Sequence, residues 1–164
     1  MRREALILTA AALLIGCGPK PATIPQGWQT SKVEGITVAF PPDWIIWDIT
    51  KKDFATTVNS PAIDKMRKIA QENAKQNVVK LMALDPAIQA GDFIASGNII
   101  VLPDPKGDPK DERQLNEVEI GKLAVTSFHI TRDKKLYLFT FSAPIAGKEA
   151  FRNTITQIAQ SISQ

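Results

Sequence analysis

The chain has 164 residues, 44% of them hydrophobic, and carries a formal charge of +3 from 20 Lys and Arg against 17 Asp and Glu. That length suits one domain that buries a core without disulfides or a metal, and the single cysteine excludes an internal disulfide. The basic residues are scattered among acidic ones, which is typical of a solvated surface and argues against nucleic-acid binding.

The first 16 residues have the organisation of an export signal. Arg2 and Arg3 form a basic start, and an apolar run from residue 5 to residue 15 follows, broken only by Thr9. The run has the length of a signal-peptide core and is shorter than the roughly 20 apolar residues of a membrane span. We therefore predict that residues 1–16 are a signal peptide.

Cys17 is the only cysteine, and it follows Leu14, Ile15 and Gly16. An aliphatic, a variable and a small residue before cysteine is the order of the lipobox in bacterial lipoproteins, which this segment resembles. The resemblance implies cleavage before Cys17, a thioether-linked diacylglycerol on its sulfur and a further acyl chain, such as palmitate, on the new amine. Two or three chains make a stable anchor. We expect a lipid-anchored protein on the extracytoplasmic side of the cell membrane or outer membrane.

Two other interpretations of this segment remain open: an ordinary secretory signal with a chance cysteine, and a buried N-terminal helix. Gly18 and Pro19 directly after the cysteine disfavour a continuing helix. Prolines and few apolar groups follow, so we predict a lipidated tether over residues 17–34. A single globular domain over residues 35–164 completes the chain, its folded part beginning near Trp28 or Gly35.

Apolar periodicity outlines the elements of this domain. Ser60 followed by Pro61 has the pattern of a helix start, and apolar residues then recur every three or four positions, which predicts a helix over 61–76 ended by Asn77. The other predicted elements are strands over 36–40 and 44–49, a strand over 78–84 ended by Asp85–Pro86, an extended stretch over 93–102, a polar loop over 103–109, a helical turn over 111–115, a hairpin of strands 123–130 and 136–142, and an amphipathic helix over 148–162.

This order of elements favours the α+β class. Successive strands without intervening helices form antiparallel sheets, so we predict a central, mostly antiparallel β-sheet flanked by helices. Both strands of the hairpin between residues 123 and 142 carry apolar groups on each face. We therefore expect both faces of this part of the sheet to be covered.

The chain also resembles the PsbP and Mog1-like families, whose fold is an antiparallel sheet between helical layers, an α/β/α sandwich. The similarity lies in residues 35–44, 81–85, 98–101, 137–144 and 158–162, in that order. Members include lumenal subunits of photosystem II in plants and related lipoproteins of cyanobacteria. Between Pro103 and Glu119 the chain departs from the family, which has a longer helix there. The resemblance transfers no functional residue.

Few residues have the spacing that catalysis or metal binding requires. His129 is the only histidine, and no serine lies in a Gly-x-Ser-x-Gly motif, so we predict that the protein is not an enzyme. The densest acidic run consists of Asp104, Asp108, Asp111 and Glu112, but basic residues interleave it and the calcium-loop pattern is absent. We predict a solvated loop, and neither a metal nor a cofactor.

The three tryptophans are candidates for an interface, where this residue is enriched. We assign Trp44 to the core, and we predict that Trp47 and Trp28 contact a partner; Trp28 could instead reach the lipid headgroups. With an anchor and no catalytic set, we expect a non-catalytic binding or assembly factor for another envelope or membrane protein. The alternatives are a small-ligand-binding or hydrolytic protein that uses His129, and a photosystem II accessory protein.

Overall fold

The elements follow one another as strands and two helices, and they confirm the α+β class. The computed structural model describes residues 22–51, 54, 60–104, 106–107 and 110–163. The elements are β1 (Gln29–Val33), β2 (Ile36–Phe40), β3 (Ile45–Asp48), α1 (Pro61–Gln76), β4 (Val79–Ala90), β5 (Phe93–Pro103), β6 (Lys110–Ile120), β7 (Leu123–Arg132), β8 (Lys135–Pro144), a 3-10 turn (Ile145–Gly147) and α2 (Lys148–Ser161).

Two antiparallel sheets make up the strand framework. The large sheet has six strands in the order β3-β4-β5-β8-β7-β6, and β1 and β2 form a separate hairpin. All neighbouring strands of the large sheet run antiparallel, as expected where short turns connect them. Asp133 and Lys134 both have positive φ, 50° and 59°, which suits the tight turn of the predicted β7–β8 hairpin.

Helix α1 begins and ends where the sequence pattern places it. Ser60 caps the helix by accepting a hydrogen bond from the backbone N–H of Ile63 at 3.2 Å, and Asn77 ends it in the left-handed conformation with φ 53°. The apolar side of α1 is buried against Trp47, Met82 and other residues of β3–β5. We call this side of the large sheet its outer face.

The inner face of the sheet is covered by α2 and by the β1–β2 hairpin. Phe128 and Phe139 stack at 4.4 Å between ring centroids, and Phe151 of α2 stacks on Trp44 at 5.6 Å. The Ser161 hydroxyl accepts a hydrogen bond from the Ala39 N–H at 3.0 Å, which ties the end of α2 to β2. The main core therefore lies between the inner face, α2 and the hairpin.

Gly97 of β5 makes room for an aromatic ring of that core. It pairs with Phe141 of β8, and a Cβ added at Gly97 would fall inside the Phe141 ring. The ring is 1% exposed and meets Phe151 edge-on at 6.4 Å. A glycine in a strand is destabilising in isolation, but here the missing side chain lets the ring lie directly on the backbone.

The Glu34 turn fastens the β1–β2 hairpin to the large sheet. Lys135 of β8 contacts one carboxylate oxygen of Glu34 at 2.9 Å, and Lys80 of β4 contacts the other at 3.1 Å. The Tyr137 hydroxyl donates a hydrogen bond to the Glu34 carbonyl at 2.8 Å. The hydrogen bond from Lys135, followed by that from Lys80, holds the pKa of Glu34 below its ordinary value.

Two predicted boundaries in the second half of the chain are wrong. Strand β4 does not end at Asp85–Pro86 but continues to Ala90 across a register shift. The register shift lies between Asp85 and Gln89, where the Asp85 carboxylate accepts a hydrogen bond from the Ala87 N–H at 3.0 Å. Burial raises the pKa of Asp85. Residues 111–115 belong to strand β6, not to a helical turn.

The folded domain includes residues of the predicted tether. Residues 29–33 form β1, which pairs along its length with β2, so part of the segment 17–34 belongs to the domain. Its composition is polar because β1 lies at the surface, with Val33 as its buried residue. Periodicity in so short a strand gives little warning of this pairing.

We expect the Glu34→Gln variant to lose a small, pH-dependent part of the stability. Since the pKa of Glu34 is lowered, its ion pairs stabilise the fold above the ordinary value of 4.5 and are lost as the pH falls below it. Both Glu34 and Lys135 are partly exposed and screened, so we expect about 0.5–1 kcal/mol at neutral pH. Thermal unfolding should show a lower Tm for the variant at pH 7, and this difference should shrink as the pH falls below 4.5 and through the lowered pKa of Glu34.

A matched control for that measurement is Glu72→Gln, because the Glu72–Lys75 pair on α1 has both side chains about 70% exposed. We expect no change in Tm for the control. A Glu34→Gln effect of the same size at pH 3 and pH 7 would contradict the assignment of the effect to the ion pairs.

We expect Gly97→Ala to destabilise the fold by about 1–3 kcal/mol, because the new methyl group displaces the Phe141 ring from the core. Denaturant unfolding monitored by circular dichroism measures this loss. Ser96→Ala is the control: Ser96 is the adjacent residue, it is half-buried on the outer face, and we expect a change below about 0.5 kcal/mol. Equal stabilities for the two variants would contradict the packing role of Gly97.

Candidate functional site

Part of the outer face of the large sheet has no helix over it among the residues described. Helix α1 packs on β4 and β5, and a helix about 10 Å wide covers only two or three strands spaced about 4.8 Å apart. Thr131 is 4% exposed, but most other outward side chains of β7 and β8 are half-buried or exposed, as are those of β6 from Asn116 onward. We call this set the open face: Asn116, Val118, Ile120, Leu123, Val125, Ser127, His129, Leu136, Leu138, Thr140 and Ser142.

Among the described residues, the predicted coverage of the β7–β8 hairpin is found on its inner face, and no described element lies over its outer face. The inward residues of the hairpin, such as Phe128 and Phe139, are buried by 98% or more. Their outward neighbours Val125 and Leu138 are only half-buried. Apolar residues on both faces of a strand predict a packed layer on each face. In the part of the chain that the structure describes, these strands are covered on the inner face, by α2 and the β1–β2 hairpin.

The open face is almost free of charge. His129 is the only ionisable residue in it, and Glu112 lies beside His129 at its edge. Val118 and Ile120 are 56% and 63% exposed, and with Leu123 and Val125 they form an apolar region, while Ser, Thr and Asn occupy the middle. Depletion of charge together with exposed apolar groups is typical of the centre of a protein–protein interface.

His129 has an acidic neighbour that its position in the sequence does not reveal. Its Nε2 lies 3.2 Å from Oε2 of Glu112, and the two side chains are 35% and 54% exposed. A register shift between Glu112 and Asn116 bends β6 at this point. The bend leaves a cleft of about 370 Å³ lined by Glu112, Arg113, Gln114, Asn116 and His129. The cleft has a size and a polar lining that suit a small polar ligand.

An apolar cavity of about 460 Å³ lies next to the open face, at the end of the sheet that carries the β6–β7 turn. It is formed where the β4–β5 turn, the β6–β7 turn and the start of the 3-10 turn meet. Leu123 belongs to both the cavity and the open face. The residues that line it are Ala90, Phe93, Gly121, Lys122, Leu123, Pro144, Ile145 and Ala146.

The tryptophans are placed differently from what the sequence suggested. Trp44 is 5% exposed, which confirms its assignment to the core. Trp47 is 0% exposed, so the prediction that it contacts a partner is wrong. Its side chain lies on the outer face of β3 and is covered by α1. Trp28 is half-buried and packs against the main core, which leaves one side of its ring accessible.

Other sequence-predicted features lie partly or wholly outside the described residues. Cys17 and the signal peptide are among them, as is Asp108 of the acidic run; the side chain of Asp111 is not described either. Within the part of the chain that the structure describes, no three His, Cys, Asp or Glu residues are grouped as a metal site would need. Among the same residues no helix has both the length and the hydropathy to cross a bilayer.

Val118 and Ile120 are not predicted as site residues because the pattern predicts a helical turn over 111–115 and no element over 116–120. A signal for the strand is present: Glu117, Val118, Glu119 and Ile120 alternate between acidic and apolar residues, the period of a strand. Glu117 and Glu119 face inward to Lys148 of α2, at 3.9 and 2.6 Å. The apolar residues are therefore on the outer side, the reverse of the usual arrangement.

Comparison with known proteins adds a similarity in overall structure. No protein-family model matches the sequence, and no curated protein matches it. Among solved structures, the chain is similar to the solution structure of cyanobacterial PsbP (CyanoP) from Synechocystis sp. PCC 6803, with 12% identity and a TM-score of 0.42. The similarity covers 89% of this chain and 99% of that one. Values this low give no ground for assigning a partner or an activity.

Proposed function

We propose that the chain is a membrane-anchored extracytoplasmic lipoprotein whose domain acts as a non-catalytic binding or assembly factor for another envelope or membrane protein. Its localisation rests on the lipobox that ends at Cys17. The observation that carries the binding role is the open face, which leaves Val118 and Ile120 more than half exposed. A lipid anchor holds that face near the membrane, where its partner must also be.

The chemistry of the open face favours a protein as the partner. A nucleic acid or another polyanion would select a basic surface, but the open face contains neither Lys nor Arg. A flat array of Leu, Val, Ser and Thr side chains can instead be covered by a helix or a sheet of another protein. Such a contact buries apolar area without burying an unpaired charge.

The His129–Glu112 cleft supports a second candidate function, the binding of a small polar ligand. The histidine and the acid lie 3.2 Å apart in a cleft of about 370 Å³, near the lower end of the size range of ligand sites. A role as a photosystem II accessory protein is a narrower form of the main proposal, and it rests on the sequence resemblance alone.

We expect the anchor to depend on Cys17. A Cys17→Ser chain, exported with an ordinary cleavable signal in place of residues 1–16, should move from the membrane fraction to the soluble fraction with an unchanged fold, because the acyl chains provide the membrane affinity. Fractionation followed by mass spectrometry of the N-terminal peptide tests this. A variant that stays in the membrane, or a native N-terminal peptide without acyl chains, would contradict the lipoprotein proposal.

We expect the double variant Val118→Lys, Ile120→Lys to lose its partner, because two buried, unpaired charges would stand in the interface. Both residues are exposed, so the stability should change by about 0.5 kcal/mol or less. The protein is cross-linked in intact cells and recovered from solubilised membranes. The amount of partner recovered with the variant is compared with the amount recovered with the wild-type protein. A fall of about tenfold corresponds to 1.4 kcal/mol of binding energy.

The matched control is Ile69→Lys, since Ile69 is 43% exposed, belongs to α1 and is not one of the open-face residues. This variant should keep the full recovery of the partner. Equal recovery by the double variant and the control, or equal loss in both, would show that the open face does not bind the partner.

A further inference from the structure

The described part of the chain begins with a segment that is fastened to the end of α2. The Thr23 N–H donates a hydrogen bond to the Gln160 carbonyl at 3.1 Å. The Trp28 N–H donates to the Pro25 carbonyl at 3.2 Å, which forms a turn, and the Trp28 ring packs on the core. Only the residues before Thr23 remain to connect the domain to a lipid on Cys17. The free tether is therefore much shorter than the segment 17–34 suggests.

The length of this connection limits how the domain can sit on a membrane. Six residues from Cys17 to Thr23 span at most about 22 Å when fully extended. A domain of this size is about 35–40 Å across. The tether is too short to pass around the domain, so the surface near Gln160 stays within about 22 Å of the bilayer whenever Cys17 carries its lipid, and an inverted orientation is excluded.

The contacts of α2 define which end of the sheet this is. Lys148, at the start of α2, contacts Glu119 near the end of β6 at 2.6 Å. Arg113, near the start of β6, donates to the Ala159 carbonyl at 2.9 Å. Helix α2 therefore runs antiparallel to β6, and its last turn lies at the same end of the sheet as the β7–β8 turn. We call this the anchor end and the opposite one the far end.

The two ends differ in charge. Around the β7–β8 and β1–β2 turns of the anchor end, bases outnumber acids: Lys32, Lys80, Lys106, Arg113, Arg132, Lys134 and Lys135 against Glu34, Asp104, Glu112 and Asp133. Around the β6–β7 turn and the start of α2 at the far end, acids outnumber bases: Asp92, Glu117, Glu119 and Glu149 against Lys122 and Lys148. A negatively charged surface attracts the first end and repels the second.

We propose that the anchor end binds the anionic headgroups of the bilayer and thereby orients the open face across the membrane surface. The proposal rests on the lipid anchor of the proposed function and adds a second, electrostatic contact to it. Ile24, next to Thr23 and 44% exposed, then lies at the headgroup level. The partner of the open face must reach it within about one domain diameter of the bilayer, which points to a membrane protein.

Matched lysine-to-cysteine variants test this orientation. Lys134 lies in the β7–β8 turn at the anchor end and Lys122 in the β6–β7 turn at the far end, and Cys17 is blocked by its lipid, so each new cysteine takes a fluorophore alone. The full lipidated proteins are placed in vesicles of phosphatidylglycerol and phosphatidylethanolamine that contain a headgroup spin label. Quenching should be about threefold stronger for Lys134→Cys than for Lys122→Cys, and weaker in about 0.5 M salt or in phosphatidylcholine vesicles.

The outcomes separate the two proposals. Protein that floats with the vesicles but is quenched equally at both positions, or more at Lys122→Cys, overturns the orientation and leaves the anchor intact. Stronger quenching at Lys134→Cys that does not respond to salt or lipid charge overturns the headgroup contact. Protein that does not float with the vesicles overturns the lipid anchor, and the orientation with it.

Discussion

The contact between the Phe141 ring and the backbone of Gly97 determines how the layers of this domain meet. The Phe141 ring lies against the backbone of β5 at Gly97, and in this position it forms a T-shaped contact with Phe151 of α2. Phe151 stacks on Trp44, and Trp44 lies 6.2 Å from Phe40 of β2. One aromatic series thus connects the large sheet, the C-terminal helix and the hairpin. A side chain at Gly97 would shift its first member and every later contact.

The inner face is covered twice, by α2 and by the hairpin, whereas the outer face has α1 over three of its strands. This difference in coverage between the two faces follows from where the other elements pack. Within the described ranges, the two other elements that could cover β6–β8 lie on the inner face: α2 packs there through Phe151 and Ile155, and Glu34 holds the hairpin there. The open face is what remains, so its position is a consequence of how the core forms.

Local signals in the sequence predicted much of the fold. Ser60 and Asn77 mark the helix ends through short-range hydrogen bonds, and the alternation in β7 and β8 is a property of single strands. The burial of Trp47 could not be predicted in this way, because it depends on α1 lying over β3. The partner of His129 was equally hidden, since Glu112 reaches it only through the β6–β7 register. Contacts between distant segments decide the candidate site, and periodicity contains no information about them.

The register shift in β6, an outermost strand of the large sheet, affects how copies of this protein can contact one another. An outermost strand offers unpaired backbone groups to any neighbour, and lipid-anchored copies on one membrane would meet often and in similar orientations. The register shift after Glu112 interrupts the regular row of donors and acceptors, and the acidic residues of the strand repel a second copy. In the proposed lipid-anchored protein, neighbouring copies are thereby kept from joining their sheets edge to edge.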